Sequence, residues 1–159
     1  MTDKTPTITH DSAVSLREVT SDTVRAICRL EVSEEQKHFV APNAVSIAQA
    51  YFEPKAWFRA IYADETPVGF LMLYDNPDEQ EYFLWRYMID ARYQKMGFGK
   101  KAMDLLLEHI RTRPGAHELR LSCHPGEEGP EPFYRQYGFA RTGEWLGEEV
   151  EMRIDFQSG

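Results

Sequence analysis

Apolar and polar positions alternate from Ala13 to Thr20, with Val14, Leu16 and Val19 on the apolar side, which predicts a first strand. Ser21 or Asp22 then offers an N-cap oxygen, and Val24, Ile27 and Cys28 form a helical stripe that continues toward Val32. Ser33 to Pro42 reads as a connection carrying Glu34, Glu35 and His38. A second helix is predicted over Asn43–Phe52, ended by Pro54, with Ala44, Ile47, Ala48 and Tyr51 on its apolar face.

The pattern then turns to sheet. Ala56–Ala63, Val68–Tyr74 and Glu81–Asp90 are rich in aromatic and branched residues, and segments 64–67 and 75–78 between them carry turn chemistry at hairpin lengths. Three consecutive antiparallel strands are predicted. From Phe98 the apolar residues Ala102, Leu105, Leu106 and Ile110 follow the period of a long helix, which Arg111, Arg113 and Pro114-Gly115 bring to an end. His117–Cys123 reads as a strand and Pro132–Tyr137 as a short helix closed by Gly138; two more strands surround a turn near Gly147. The order β-α-α-β-β-β-α-β-α-β-β predicts an α/β fold, a mixed sheet with helices on both faces. Residues 1–12, polar and without an apolar core, read as a flexible N-terminal tail and not a secretory signal, followed by a single domain over 13–159.

A length of 159 residues suits one well-buried domain. Eighteen Lys and Arg against 26 Asp and Glu leave a net charge of −8, which weighs against nucleic acid or an anionic membrane as partner. No run reaches the ~18 apolar residues of a membrane span. Cys28 and Cys123 lack metal-ligand spacing and sit in apolar segments, as free thiols do in a reducing cytoplasm, and no metal is expected.

The segment from Met88 to Lys101 inverts this charge: Arg92, Lys95, Lys100 and Lys101 bring four cations together at a strand-to-helix turn. Gly97 and Gly99 let backbone approach a ligand closely, and free N–H groups at the start of the helix suit phosphate oxygens. The spacing is not the G-x-G-x-x-G of a dinucleotide fold, which would need glycine at Ala102, nor is it a P-loop.

Gln94-x-x-Gly97-x-Gly99 resembles the Q/R-x-x-G-x-G/A signature of the GNAT superfamily of acetyl-CoA-dependent N-acetyltransferases, and Phe133-Tyr134-Arg135-Gln136-Tyr137-Gly138-Phe139 resembles its F/L-Y-x-x-x-G-F segment. Glu34-Glu35-Gln36, Phe39 to Asn43 and Leu84 to Asp90 are similar to bacterial spermine/spermidine (diamine) acetyltransferases. The resemblance implies a GNAT-like mixed, mostly antiparallel central sheet of about seven strands. It implies that the strand before the signature splays from its neighbour, with backbone groups of Tyr87, Met88 and Ile89 on pantetheine. Backbone amides of Gln94, Lys95, Met96, Gly97, Phe98, Gly99 and Lys100 are then expected on the pyrophosphate of acetyl-CoA. Tyr134 takes the place of the acid that protonates the departing thiolate, and a phenol near 10 is a workable donor to a thiolate whose conjugate acid lies near 8.5. Glu127 and Pro130 depart from the pattern, standing where relatives often carry Asn and Ala.

A glutamate that serves some members as general base falls at Phe83 here, so Glu81, two residues earlier on the same strand face, is the candidate base. Glu31, Glu34, Glu35, Asp75, Asp78, Glu79 and Glu81 favour a polycation by Coulomb attraction, and Trp57 and Trp85 suit alkyl chains or ammonium groups. With Glu34, Glu35 and Trp85 in recognition, the resemblance implies direct acetyl transfer to a primary amine of a small polycation such as spermidine or spermine. Related proteins are often homodimers. An aminoglycoside, an amino acid, and a protein N-terminus or lysine stay open as acceptors, and so does a non-catalytic acyl-CoA-binding module.

Overall fold

Residues Val68 to Leu73 are apolar at nearly every position, the mark of a strand covered on both faces. In the computed structural model, which describes residues 7–156, this run lies inside a seven-stranded sheet. The strands are β1 (Val14–Arg17), β2 (Ala56–Ala63), β3 (Thr66–Asn76), β4 (Glu81–Ile89), β5 (Glu118–Cys123), β6 (Ala140–Leu146) and β7 (Glu149–Asp155). Their spatial order is β1-β2-β3-β4-β5-β7-β6, and every pairing is antiparallel except β4 with β5. Helices α1 (Val24–Arg29) and α2 (Asn43–Phe52) cover one face, and α3 (Phe98–Arg111) and α4 (Glu131–Tyr137) the other. Val68, Leu71 and Leu73 pack under α3, while Phe70 and Met72 pack under α1 with Ile27 and Leu30. The mixed, mostly antiparallel sheet of seven strands is thus the architecture expected. Among the described residues, no helix is long and apolar enough to cross a membrane.

Tertiary contacts move several local features. The N-cap of the first helix is Thr23 and not Ser21 or Asp22, and Thr23 spends its hydroxyl on the Thr20 N–H at 2.9 Å. It stops at Arg29, short of Val32, because the Glu31 N–H donates to the buried carboxylate of Asp90 at 3.0 Å. In α2 the buried face is Asn43, Ser46, Ile47 and Ala50, not the expected Ala44, Ile47, Ala48 and Tyr51. Asn43 turns inward because its amide donates to the Ile27 carbonyl at 2.9 Å, and Tyr51 is left 84% exposed. Of the expected tail over 1–12, residues 1–6 lie outside the described residues, as do 157–159 of the expected domain. From Thr9 to Ser12 the chain forms a turn; Ser12 is buried, and the His10 carbonyl accepts from Lys101 Nζ at 2.6 Å.

Candidate active site

The strands β4 and β5 are hydrogen-bonded only where Phe83 faces Arg120 and Leu84 faces Leu121; beyond that point they part. The cause lies on the other edge of β4. Its register with β3 slips between Met72, opposite Arg86, and Leu73, opposite Leu84, which leaves Trp85 as an extra residue in a bulge. The bulge exchanges the faces of the strand: Tyr82 and Leu84 sit in the core under α3 before it, and Tyr87 and Ile89 pack there after it. From Trp85 to Ile89 the edge toward β5 has no strand partner, so the N–H and C=O groups on it, other than the Trp85 and Ile89 carbonyls taken by side chains, are open to an extended ligand. A cleft of about 1100 Å³ runs through this gap, past Tyr87, Met88 and Ile89 on one side and Ser122, Cys123 and His124 on the other.

At one end of the cleft the chain turns into α3. Asp90 accepts from the backbone N–H groups of Glu31 and Arg92 and from Arg92 Nε. Burial works to raise its pKa, yet the bonds from Arg92 and the two backbone donors outweigh it and hold the carboxyl below its usual value. Gln94 donates its side-chain amide to the Ile89 carbonyl and to Gln36 Oε1, each at 2.9 Å, so the signature glutamine fastens the turn to the strand and to the α1–α2 connection. Lys95 and Gly97 both lie in the left-handed region, with φ of 65° and 84°. A Cβ on Gly97 would meet nothing within 4 Å, whereas one on Gly99 would stand 3.3 Å from the ring of Phe133. The two glycines therefore differ. Gly97 leaves a bare surface at the helix start, a cradle that fits a phosphate ester, and Gly99 lets α4 pack close.

Tyr87 places its ring under that helix start. Its hydroxyl donates to the Gly99 carbonyl, its ring stacks on Phe133 at 6.0 Å, and burial raises its pKa well above the usual value. Of the four cations, Arg92 is engaged by Asp90, Lys100 lies 3.6 Å from Asp104 and Lys101 reaches the His10 carbonyl. Lys95 and Lys100 line the cleft, and so do Gln94, Gly97, Phe98 and Gly99, but Met96 packs against the core instead.

The far end of the gap is flanked on both faces of the sheet. Tyr134, on α4, is 7% exposed and lines the cleft; burial, and then the neighbouring Cys123 and Glu149, raise its phenol above the usual value and keep it protonated. Cys123 is pushed up to about 12, first by burial and then by the charges of Glu131 and Glu149, so the thiol is no nucleophile near neutral pH. On the opposite face Glu149 accepts from Ser122 Oγ at 2.7 Å and lies 3.7 Å from His124 Nε2. Phe39 reaches over from the α1–α2 connection, 5.3 Å from the His124 ring and closely against Gly129. Arg86 donates to the Trp85 carbonyl and to Gln49 Oε1, each at 3.0 Å, while its buried Nε meets no acceptor among the described residues.

Not every expected residue joins the site. Glu81 is exposed at the hairpin end of β4 opposite Asn76, below the point where β4 and β5 part, and does not line the cleft. Its charge acts on Arg120 instead. Glu34 and Glu35 are exposed on a 3-10 turn (Glu34–Gln36) beside the rim, with Glu34 2.6 Å from Lys37 Nζ. Asp75 is bound to Arg113 at 3.1 Å. Trp85 lines the cleft. Among the described residues Glu149 is the one carboxylate that does so, and sequence reasoning missed it, together with Ser122 and Arg86. The only signal for Glu149 was its place after the Gly147 turn; the β5–β7 and β6–β7 registers put it beside the gap.

The chain is similar to known proteins in sequence and in fold. The chain is 29% identical over 153 residues to the spermine/spermidine N(1)-acetyltransferase of Bacillus subtilis (strain 168), covering 89% of this chain and 98% of that one. It is 26% identical over 98 residues to an L-2,4-diaminobutyric acid acetyltransferase of Streptomyces avermitilis, covering 61% and 52%. The fold is similar to that of the PaiA N-acetyltransferase of Thermoplasma acidophilum, solved in complex with coenzyme A, with a TM-score of 0.65 at 20% identity over 91% and 99% of the two chains. The acetyltransferase (GNAT) family pattern matches residues 21–139, and the chain belongs to that family.

Proposed function

We propose that this protein transfers an acetyl group from acetyl-CoA directly to a primary amine of a small polycation such as spermidine or spermine. The observation that carries the reading is the parted β4–β5 gap, which joins a bare helix start at Gly97 to a phenol at Tyr134 and a lone carboxylate at Glu149. Backbone amides from Gln94 to Lys100 would hold the pyrophosphate, and the open edge at Tyr87, Met88 and Ile89 would hold the pantetheine amides. Acetyl-CoA supplies the activated acetyl group as a thioester. Tyr134 holds a proton at its hydroxyl for the departing sulfur, and the inert Cys123 favours direct transfer over an acyl-cysteine. Trp85 and Phe39 offer apolar walls for a methylene chain, and Glu34 and Glu35 stand outside the rim for a distal ammonium. The polyamine choice is supported by the Bacillus relative.

Arg86 favours a second reading. A guanidinium with an unmet N–H in the cleft wall suits an acceptor that carries a carboxylate, such as a diamino acid, in line with the Streptomyces relative. Thiol release from acetyl-CoA, measured over spermidine, spermine, 2,4-diaminobutyrate, an aminoglycoside and an N-terminal peptide, separates the two. The highest kcat/KM is expected for spermidine or spermine. Preference for the diamino acid or the peptide overturns the polyamine choice, and acetyl-CoA binding without turnover on any amine overturns the enzyme.

A further inference from the structure

Glu149 opens β7 directly after the two-residue turn Gly147-Glu148, and its pairing with Leu146 fixes where its side chain starts. Ser122 and Cys123 are neighbours on β5 and project to opposite faces of the sheet. Glu149 joins Ser122 on one face, while Tyr134 lies with Cys123 in the core on the other. A carboxylate and a phenol thus flank the gap at one level of β5, from opposite sides. An acceptor entering from the α1–α2 side meets Glu149 before it meets Tyr134.

An alkyl ammonium with a pKa near 10.4, as for lysine, is neutral in roughly one molecule in 2,500 at pH 7. Attack needs the nitrogen lone pair, so the abundant ammonium form has to be bound and relieved of a proton inside the site. Resting on the acetyl transfer proposed above, we infer that Glu149 receives the acceptor ammonium and takes its proton, with Ser122 fixing one carboxylate oxygen and His124 leading the proton to solvent. The balance is R–NH3+ plus thioester giving R–NH–acetyl, thiol and one H+. One nitrogen proton goes to Glu149 and frees the pair that bonds to the carbonyl carbon; a second leaves as the amide is completed. The C–S bond breaks with its electrons on sulfur, which is capped from Tyr134. One nitrogen proton restores Tyr134 through solvent, and the other is released. On its own face Glu149 meets Ser122 from β5 and His124 beyond it with His38 behind, and its charge acts on Arg86 of β4 and, from across the sheet, on Cys123 of β5 and Tyr134 of α4.

Spermidine acetylation from pH 6 to 10, with acetyl-CoA affinity measured by calorimetry on each variant, tests this. Glu149→Gln is expected to bind acetyl-CoA within about threefold of the parent and to lose roughly 100-fold in kcat/KM for spermidine at pH 7. That loss should shrink to about tenfold or less at pH 10, where free amine is abundant. Ser122→Ala keeps the carboxylate without its tether and is expected to lose roughly tenfold in kcat/KM at pH 7, with the same trend. A Glu149→Gln loss below about fivefold at pH 7, or one equal at pH 7 and 10, overturns the inference, because a merely structural role does not follow amine ionisation. Should Glu149→Gln fail to bind acetyl-CoA, Ser122→Ala decides by the same criterion of a loss that shrinks toward pH 10. A parent that binds acetyl-CoA and acetylates no amine overturns the proposed function with it; an active parent with an indifferent Glu149→Gln overturns this inference alone.

Discussion

Glu131, the first residue of α4 and only 2% exposed, holds Arg141 of β6 through two hydrogen bonds, of 2.5 Å from Nε and 2.8 Å from Nη2, and accepts the Gly126 N–H at 2.9 Å. This clamp ties together the loop leaving β5, the start of α4 and the edge strand. It therefore sets where Tyr134, three residues on, stands against the gap. The loop carries the departures Glu127 and Pro130, and Pro130 serves as the residue before the first turn of α4.

The clamp makes stability depend on pH. The bonds from Arg141, first, and then from the Gly126 N–H hold the Glu131 carboxyl down to about 2, against burial. A carboxyl depressed on folding stabilises above its unfolded pKa of about 4.5, and that share is lost as pH falls toward 2. The shift corresponds to roughly 3 kcal/mol. Urea unfolding should find Glu131→Gln less stable than the parent at pH 6 by an amount of this order, and the difference should close between pH 4.5 and 2. A gap that stays constant over that window would count against the clamp.

Tyr134→Phe removes the hydroxyl and keeps the packing with Phe133 and Phe139. A fall in kcat of roughly 100-fold, with acetyl-CoA affinity unchanged, is expected for the loss of one acid group. Because burial raises the phenol above its usual value, the parent should show no loss of kcat up to pH 10 from ionisation of this tyrosine. Equal kcat in the two proteins removes Tyr134 from the reaction.

Gly97→Ala puts a methyl group on a residue with φ of 84° at the start of α3, where the added Cβ points into open space. The left-handed backbone costs a non-glycine residue about 1 kcal/mol. The methyl also stands where a phosphate would approach, so calorimetry should find coenzyme A bound roughly tenfold more weakly, about 1.4 kcal/mol. Gly99→Ala should act differently, destabilising the fold through Phe133. Undiminished coenzyme A affinity in Gly97→Ala would take the helix start out of the binding site.

Cys123, with its thiol pushed up to about 12, carries roughly one part in 10⁴ thiolate at pH 8. Peptide-resolved mass spectrometry after iodoacetamide treatment should find it unmodified in the native protein and alkylated in urea. Rapid native alkylation would show an activated thiol and reopen the acyl-cysteine route.

Most of the element order was legible in the chain because each piece answers to a local rule. The period from Phe98 reports one buried stripe, the branched and aromatic residues of Val68–Tyr74 a strand, and Gly97 before a helix a tight turn. Motif spacing likewise singled out Tyr134 and the turn into α3, both of which line the cleft. The buried face of α2 was not legible, since a single tertiary bond from Asn43 to the Ile27 carbonyl turned the helix against its own apolar residues. The carboxylate that lines the cleft was not legible either. Period-two counting along one strand pointed to Glu81, but a bulge at Trp85 parted β4 from β5 above it.

The chain alone determined that a glycine-bearing turn leads into a helix next to an acid-rich body and that a tyrosine follows at the right distance, because these depend on neighbours in sequence. Which carboxylate faces the gap was decided only by strand register: Glu149 is 68 residues from Glu81 along the chain and reaches the cleft because β7 pairs with β5 and not with β4. Hydrogen-bond pairing between distant strands fixes such a position to within one residue, and a shift by one would turn the side chain to the other face of the sheet.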